Sequence, residues 1–374
     1  MSEFVKLTEY CDVNMGQSPA SSSYNAEQRG IPFFQGNADF GNQNPHVRLW
    51  CNAPTKIAHC GDLLLSVRAP IGALNIADCT CCIGRGLAAL TAKQKVCDPS
   101  WLYFALKSKI SELQAQGTGS TFKAINKAAL QNLLLPSCSL SEQQHIASVL
   151  RKVCCLITAR QQQLTMLDQL AKSRFIEMFG DPVTNPREWE TLSLDKLGEL
   201  NRGVSKARPR NSPDLLGGIY PLVQTGEVSN SDTYITNFEQ TYSEKGLAQS
   251  KMWQAGTLCI TIAANIAQTA ILTFDACFPD SVVGFVANDK TKQLFIHYWF
   301  KFFQKILDEQ APQVAQKNIN LKILRELQVI VPPKPLQDEF CRFIEQLDKS
   351  KVTIRKSIEK LETTYRALLQ EYFG

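Results

Sequence analysis

The chain writes one long helical passage twice, and that repetition limits what it can fold into more than any other feature. Residues 140–180 read LSEQQHIASVLRKVCCLITARQQQLTMLDQLAKSRFIEMFG, and residues 336–374 read LQDEFCRFIEQLDKSKVTIRKSIEKLETTYRALLQEYFG. Laying Gly180 on Gly374 places Phe179 on Phe373, Leu167 on Leu361, Val153 on Leu347 and Gln143 on Gln337 without a gap. Upstream, Lys123, Ile125 and Asn126 fall on Lys317, Ile319 and Asn320. In the first copy Ile146, Leu150, Val153, Ile157, Leu164 and Leu167 recur at steps of three, four and seven, the heptad seam of a helix that packs on another helix. Phe175 lies further along this copy, and Phe343, Leu347, Ile354, Ile358, Leu361 and Leu368 line the second. Helices of about 38 residues span roughly 57 Å each, and pairing them antiparallel predicts a coiled coil with a pseudo-twofold. Arg160, Arg174 and Lys351 interrupt the seam, so the pair is not expected to be a closed two-helix coil. Phe175, Leu369 and Phe373 are expected to be covered by helices of partner subunits, or by a second copy of this chain.

The segments ahead of the two helices also echo each other. Short apolar runs punctuated by glycine, asparagine and proline predict strands in both, with one helix near residues 100–114 in the first. EYCDVNMGQSPA and KLGELNRGVSKARPR correspond, with Gly203 on Gly16 and Ser205 on Ser18. GIPFFQGN and GIYPLVQTGE set Gly226 on Gly36, the next runs set Gly256 on Gly61, and CCIGRGLAAL against FPDSVVGFVA sets Gly284 on Gly86. The reading is an α+β chain: two similar mixed-sheet domains, residues 1–139 and 181–335, with long helices at 140–180 and 336–374. Apolar frame and glycines recur while the loops differ, as expected of one scaffold presenting two binding surfaces.

The formal charge of +5 permits a polyanionic partner without requiring one. Thirteen cysteines sit mostly singly in apolar runs and read as reduced, buried thiols. No signal peptide or apolar stretch of membrane length is legible, so a cytoplasmic location without membrane association is expected.

Catalytic machinery is hard to find. The Asn-Pro pairs at Asn44-Pro45-His46 and Asn185-Pro186-Arg187 lack the Asn/Asp-Pro-Pro-aromatic loop of adenine methyltransferases, and no phosphate-binding Gly-x-x-x-x-Gly-Lys-Ser/Thr occurs. Pro279-Asp280 with Asn288-Asp289-Lys290 departs from a nuclease pattern at its asparagine. His59, Cys60, Cys79, Cys81 and Cys82 fit no standard zinc spacing and read as strand residues.

The proline turn before LSEQQHIASVL, the helix ending FIEMFGDP, the CIGRGLAAL and GSTFKAIN runs and the doubled layout resemble the specificity subunit of Type I restriction-modification systems over essentially the whole chain. The resemblance implies two target recognition domains, each reading one half of a bipartite, asymmetric double-stranded DNA site. It implies that the helices set the unread spacer and dock methyltransferase subunits, two of them expected, with restriction subunits joining through the complex. It further implies a non-catalytic chain that binds no cofactor. S-adenosylmethionine would reside on the methyltransferase subunit, and ATP and Mg on the restriction subunit. Competing readings are a protein-binding scaffold with two paired domains, a stand-alone DNA-binding protein and an enzyme in its own right.

Cations neutralise phosphates, and polar side chains at groove edges choose bases. Arg202, Lys206, Arg208 and Arg210 form the best basic loop, against the alternative of a solvated charge cluster. The corresponding first-domain loop has no cation, so Gln17 and Ser18, with Asn25, would act by hydrogen bonding. Arg68 and Arg85 stand in breaks between apolar runs, either as contacts or as structural ion pairs. Ser120 and Thr121, in a glycine-rich turn, are candidates to present backbone amides to a phosphate, and Lys123 and Lys317 either contact phosphates or cap the next helix.

Overall fold

The structure, a computed structural model, describes residues 3–117, 124–263, 266–302 and 319–374. Its contacts gather the chain into two units, residues 1–161 with 356–374, and residues 162–355. This differs from the four segments expected above: each unit takes one globular part and a portion of both long helices, because antiparallel helices bring distant stretches of chain side by side.

Unit 1 holds, among the described residues, the strands β1 (Phe4–Lys6), β2 (Cys11–Met15), β3 (Tyr24–Asn25), β4 (Ile31–Phe34), β5 (Leu49–Cys51), β6 (Ile57–Ala58), β7 (Leu63–Ser66), β8 (Leu74–Ile76), β9 (Cys81–Ile83), β10 (Leu87–Ala92) and β11 (Leu134–Pro136). They form the sheets β1-β11, β2-β10-β7-β8 and β3-β5-β4-β9-β6. β4 and β9 run parallel, Phe33 opposite Cys82, in otherwise antiparallel surroundings. The run Leu63-Leu64-Leu65 is apolar throughout because each face of β7 meets a core. Leu63 and Leu65 pack with Trp101, Leu102 and Leu106 of the helix Pro99–Ser108, whereas Leu64 packs with Phe34, Ile83 and Ala89. That helix starts where expected, Asp98 accepting from the amides of Ser100 and Trp101 with Pro99 at its first position.

Unit 2 builds the same plan from β12 (Thr191–Ser193), β13 (Gly198–Arg202), β14 (Leu216–Leu222), β15 (Tyr234–Ile235), β16 (Gln240–Tyr242), β17 (Met252–Trp253), β18 (Leu258–Thr261), β19 (Thr269–Leu272), β20 (Ala276–Cys277), β21 (Val282–Ala287) and β22 (Gln328–Ile330). Its sheets are β12-β22, β13-β21-β18-β19-β15 and β16-β14-β20-β17, with β14 and β20 parallel as β4 and β9 are. Gly61 and Gly256 hold the same left-handed turn, φ +91° and +89°, before β7 and β18. Asn126 and Asn320 cap matching short helices, accepting from the amides of Ala129 and Ile323.

Two of the expected equivalences shift. Gly284 lies inside β21 opposite Cys259, the place that Ala89 holds opposite Leu64, with the Trp253 ring against it; Gly86 stands three residues earlier, in the turn before β10. The parallel pairs set Phe33 and Leu222 in register, so Gly36 falls on Thr225 and Gln35 on Gln224. The stretch from Gly61 to Ala89 is as long as that from Gly256 to Gly284, so a glycine stands in β21 where β10 has alanine, and the glycine pattern differs where the ladder does not.

Each long helix, Leu140–Phe179 and Lys334–Phe373, has 40 residues. Ser139 and Glu142 close the first one's N-terminus reciprocally, and Gly180, φ +80°, ends it with its amide on the Ile176 carbonyl. Within unit 1, Cys154 faces Tyr365 and Phe373 joins the cluster of Ala147 and Leu150. Within unit 2, Arg174 pairs with Glu339 at 2.9 Å and Lys351 with Asp168 at 2.6 Å. The helices are therefore antiparallel in each unit. Leu150, Phe175 and Leu347 of the expected seam are buried, while Ile146, Val153, Ile157, Leu164, Leu167, Phe343, Ile354, Ile358, Leu361 and Leu368 are half-buried.

Phe175 and Phe373 do not wait for a partner. Phe175 stacks among Phe179, Phe295 and Phe340, and Phe373 lies 5.9 Å from Trp101 between ring centroids, so globular parts of the same chain cover both; Leu369 also packs on the unit 1 core. Lys351 is likewise no solvated interruption, being 1% exposed among carboxylates. The large apolar side chains left in solvent on these helices include Leu156 in unit 1 and Met166, Leu170 and Val352 in unit 2.

Candidate nucleic-acid interface

In unit 1 the backbone assembles an edge from three segments. The Gly16 amide donates to the Leu87 carbonyl and the Gln17 amide to that of Ile83, tying the loop after β2 to the turn between β9 and β10. Ser18 Oγ then accepts from the Arg85 amide at 3.3 Å. The Val67 amide donates to the Gly86 carbonyl, which brings Arg68 beside the same turn. Gln17, Ser18, Arg68 and Arg85 thus converge, with Gln17, Arg68 and Arg85 exposed. Arg68 bridges Ala124, just beyond Ser120, Thr121 and Lys123, and these three, like Lys317, lie outside the described residues. Asn25 stands apart, at the end of β3, bonded to Arg29.

The edge also holds residues that the sequence did not single out. Gln35 follows β4 with an exposed side chain, and its carbonyl comes so close to Gly86 that a Cβ there would lie 2.4 Å from it. The Gln35 amide donates to Asp39 Oδ2 at 2.7 Å, while Asp39 Oδ1 accepts from Arg48 Nε at 3.0 Å. An arginine fork is thereby held by a carboxylate beside an exposed amide.

Unit 2 repeats the scaffold and rewrites the chemistry. The Gly203 amide donates to the Val282 carbonyl and the Val204 amide to that of Phe278, matching Gly16 and Gln17. Ser205 takes the place of Ser18 but is buried, its hydroxyl without a partner among the described residues. Arg202 ends β13 opposite Val283, and Lys206 is exposed. Asp280 occupies the position of Arg85, so the local charge is reversed. Arg208 donates from Nη1 to the carbonyls of Ser205 and Ala207 and points Nη2 at Asp280 from 3.7 Å, while Arg210 Nη2 donates to the same carboxylate. Such exposed pairs contribute about 0–1 kcal/mol, so their effect is to orient the guanidiniums rather than to hold the fold together.

Beside them is a hollow of about 250 Å³ whose lining includes Arg210, Asn211, Gln224, Gln240 and Tyr242. Gln224 Nε2 donates to Gln240 Oε1 at 3.0 Å. The signal that would have found Gln35 and Gln224 was present: an identical polar residue in the aligned IPFFQGN and IYPLVQTGE, where most polar positions differ. No comparable signal marks Arg48. Cys81 and Cys82, in β9, are buried, the Cys81 thiol pushed up to about 12 mainly by that burial, whereas His59 and Cys60 stand in an exposed turn.

The family model for the Type I restriction modification DNA specificity domain matches residues 1–166 and again 186–363. The chain belongs to this family. Among relatives in the specificity family, the putative type I restriction enzyme MjaX specificity subunit of Methanocaldococcus jannaschii is 39% identical over 164 residues, 44% of this chain and 39% of that protein. The Type I restriction enzyme EcoBI specificity subunit of Escherichia coli is 21% identical over 309 residues, 73% of this chain and 64% of its own length. The chain thus spans less than two thirds of either relative. The MjaIX specificity subunit of M. jannaschii is 25% identical over 338 residues, 83% of this chain and 76% of that one. In fold, the chain is similar to the crystal structure of the Type-I restriction-modification system S subunit from M. genitalium, with a TM-score of 0.61 at 16% identity over 100% of this chain and 96% of the other. No helix among the described residues is long and apolar enough to cross a membrane.

Proposed function

We propose that this chain is the DNA-specificity component of a Type I restriction-modification complex, working without catalysis of its own. Each globular part reads one half of a bipartite double-stranded site, and the long helices set the number of base pairs left unread. The observation that carries this reading is the edge built twice on one backbone plan, where Gln17, Ser18, Arg68 and Arg85 stand in one copy and Arg202, Lys206, Arg208 and Arg210 in the other. One scaffold with two unlike sets of polar side chains suits an asymmetric site.

The exposed Met166 and Leu170, one turn apart on the first long helix, suit helices of methyltransferase subunits, two per complex, and restriction subunits would join through these. S-adenosylmethionine, ATP and Mg belong in this reading to those partners, in a cytoplasmic assembly. Methylation mapping of a host genome with and without the chain, its methyltransferase partner present in both, tests the reading. A two-part motif that appears only with the chain is expected. Methylation independent of the chain would overturn the reading in favour of a protein-binding scaffold.

A further inference from the structure

We propose that in unit 2 Arg210 reads a guanine, and the linked amides of Gln224 and Gln240 an adenine, through the major groove of the second half-site. This rests on the DNA-reading function proposed above and assigns bases to particular side chains. The basic loop looks in sequence like a phosphate clamp, but two of its arginines, Arg208 and Arg210, are held in different ways. Arg208 spends its Nη1 on the carbonyls of Ser205 and Ala207, which turns it toward the backbone as a strut. Arg210 gives Nη2 to Asp280, and with 43% of its side chain exposed it keeps donors to offer. A phosphate contact needs charge in roughly the right place; the O6 and N7 acceptors of guanine need a fork of fixed orientation, which a carboxylate partner supplies.

The amide pair shows the same preparation. Donation from Gln224 Nε2 to Gln240 Oε1 fixes both amide planes. Gln240 keeps its NH₂ and the second lone pair of its oxygen, the donor and acceptor that match N7 and N6 of adenine. The hollow's floor is Leu222 and Tyr242, 4% and 2% exposed, so the polar atoms stand on an apolar base that firms their positions. Unit 1 reaches the same pairing by other means, with Arg48 held by Asp39 next to Gln35. The glutamines share one register position while Arg48 and Arg210 come from different loops, and that recurrence argues for selection of the chemistry rather than an accident of packing.

The test is methylation mapping in cells expressing the full chain with its methyltransferase partner, scored base by base. Arg210→Lys, which keeps the charge and loses the fork, should relax one guanine of one half-site by roughly 5- to 150-fold. Gln240→Glu should relax one adenine, shifting preference toward cytosine, and Gln224→Ala should weaken the same position less. The other half-site and the spacer should stay unchanged in all three. An unaltered motif in the Arg210 and Gln240 variants overturns the assignment, as does uniform loss over all sites with a shallower salt dependence, the signature of a phosphate contact. If the unsubstituted chain confers no motif at all, the underlying DNA-reading function fails, a result distinct from an unaltered motif.

Discussion

Lys351 has its ammonium 2.6 Å from Asp168 and 2.9 Å from Asp232, with Asp348 at 3.8 Å, in the interior of unit 2. Burial alone would lower its pKa, but the hydrogen bonds to Asp168 and Asp232 outweigh that and raise it. Lys351→Met would leave Asp348 and Asp168 without its ammonium, while Asp232 keeps Arg355 at 2.9 Å, and is expected to destabilise the protein by about 3 kcal/mol, the lower end for breaking a buried pair, read from denaturant midpoints. Asp348 is the strained member, since burial, opposed by Lys351, pushes its carboxyl up to about 6 and one of its oxygens has no partner among the described residues. Between pH 4 and 6 the folded form then binds more proton than the unfolded chain, so this residue's contribution to stability falls as pH rises through that window, by roughly 3 kcal/mol at most. Asp232, whose burial is outweighed by Lys351, is shifted down and acts with the opposite sign, losing its contribution as pH falls. Asp348→Asn should therefore raise the midpoint at pH 7 and change the slope of stability between pH 4 and 6; an unchanged difference from the parent across that window would contradict the assignment. None of this was legible from the isolated residue. Lys351 reads in sequence as a break in an apolar seam, and only the approach of the Asp232 loop makes it a buried ion-pair centre.

The long helices were the most legible elements, because heptad spacing and an ungapped repeat agree over one stretch; the Ser139–Glu142 cap and the Gly180 stop that bound the first were found only in the structure. Strands were recoverable as apolar runs, but their register was not: β21 carries Gly284 where β10 carries Ala89, and Gly226 falls one residue past the place of Gly36, so matching glycine to glycine misplaced one pair by three residues and the other by one. Lengthening both long helices by one heptad, about 10 Å at 1.5 Å per residue, is expected to add about 3 base pairs to the unread spacer while leaving both half-sites intact. A changed half-site with the same spacer in methylation maps would refute that. Met166→Glu with Leu170→Glu should weaken assembly with the methyltransferase subunit by at least tenfold in a pull-down or mass-photometry titration. The unfolding midpoint should stay near that of the parent chain, because both side chains already face water.

At the scale of the whole chain, the doubled plan was visible in glycines and apolar frame, whereas the candidate edge was visible only in part. The convergence of Gln17, Ser18, Arg68 and Arg85 depends on hydrogen bonds between distant segments, such as Gly16 to Leu87 and Ser18 to Arg85. Charge reversal from Arg85 to Asp280 becomes meaningful only once the two ladders are superposed. Replacing residues 1–139 by the equivalent part of another family member should change one half of the methylated motif and leave the other; alteration of both halves would show that the parts do not read independently. At these edges Gln17, Arg68, Arg85, Lys206 and Arg210 are exposed, beside ladders held mainly by backbone hydrogen bonds. Mutations there are expected to cost the fold little stability, so under the proposed function lineages carrying this chain could drift to new DNA targets without first acquiring compensating stabilisation.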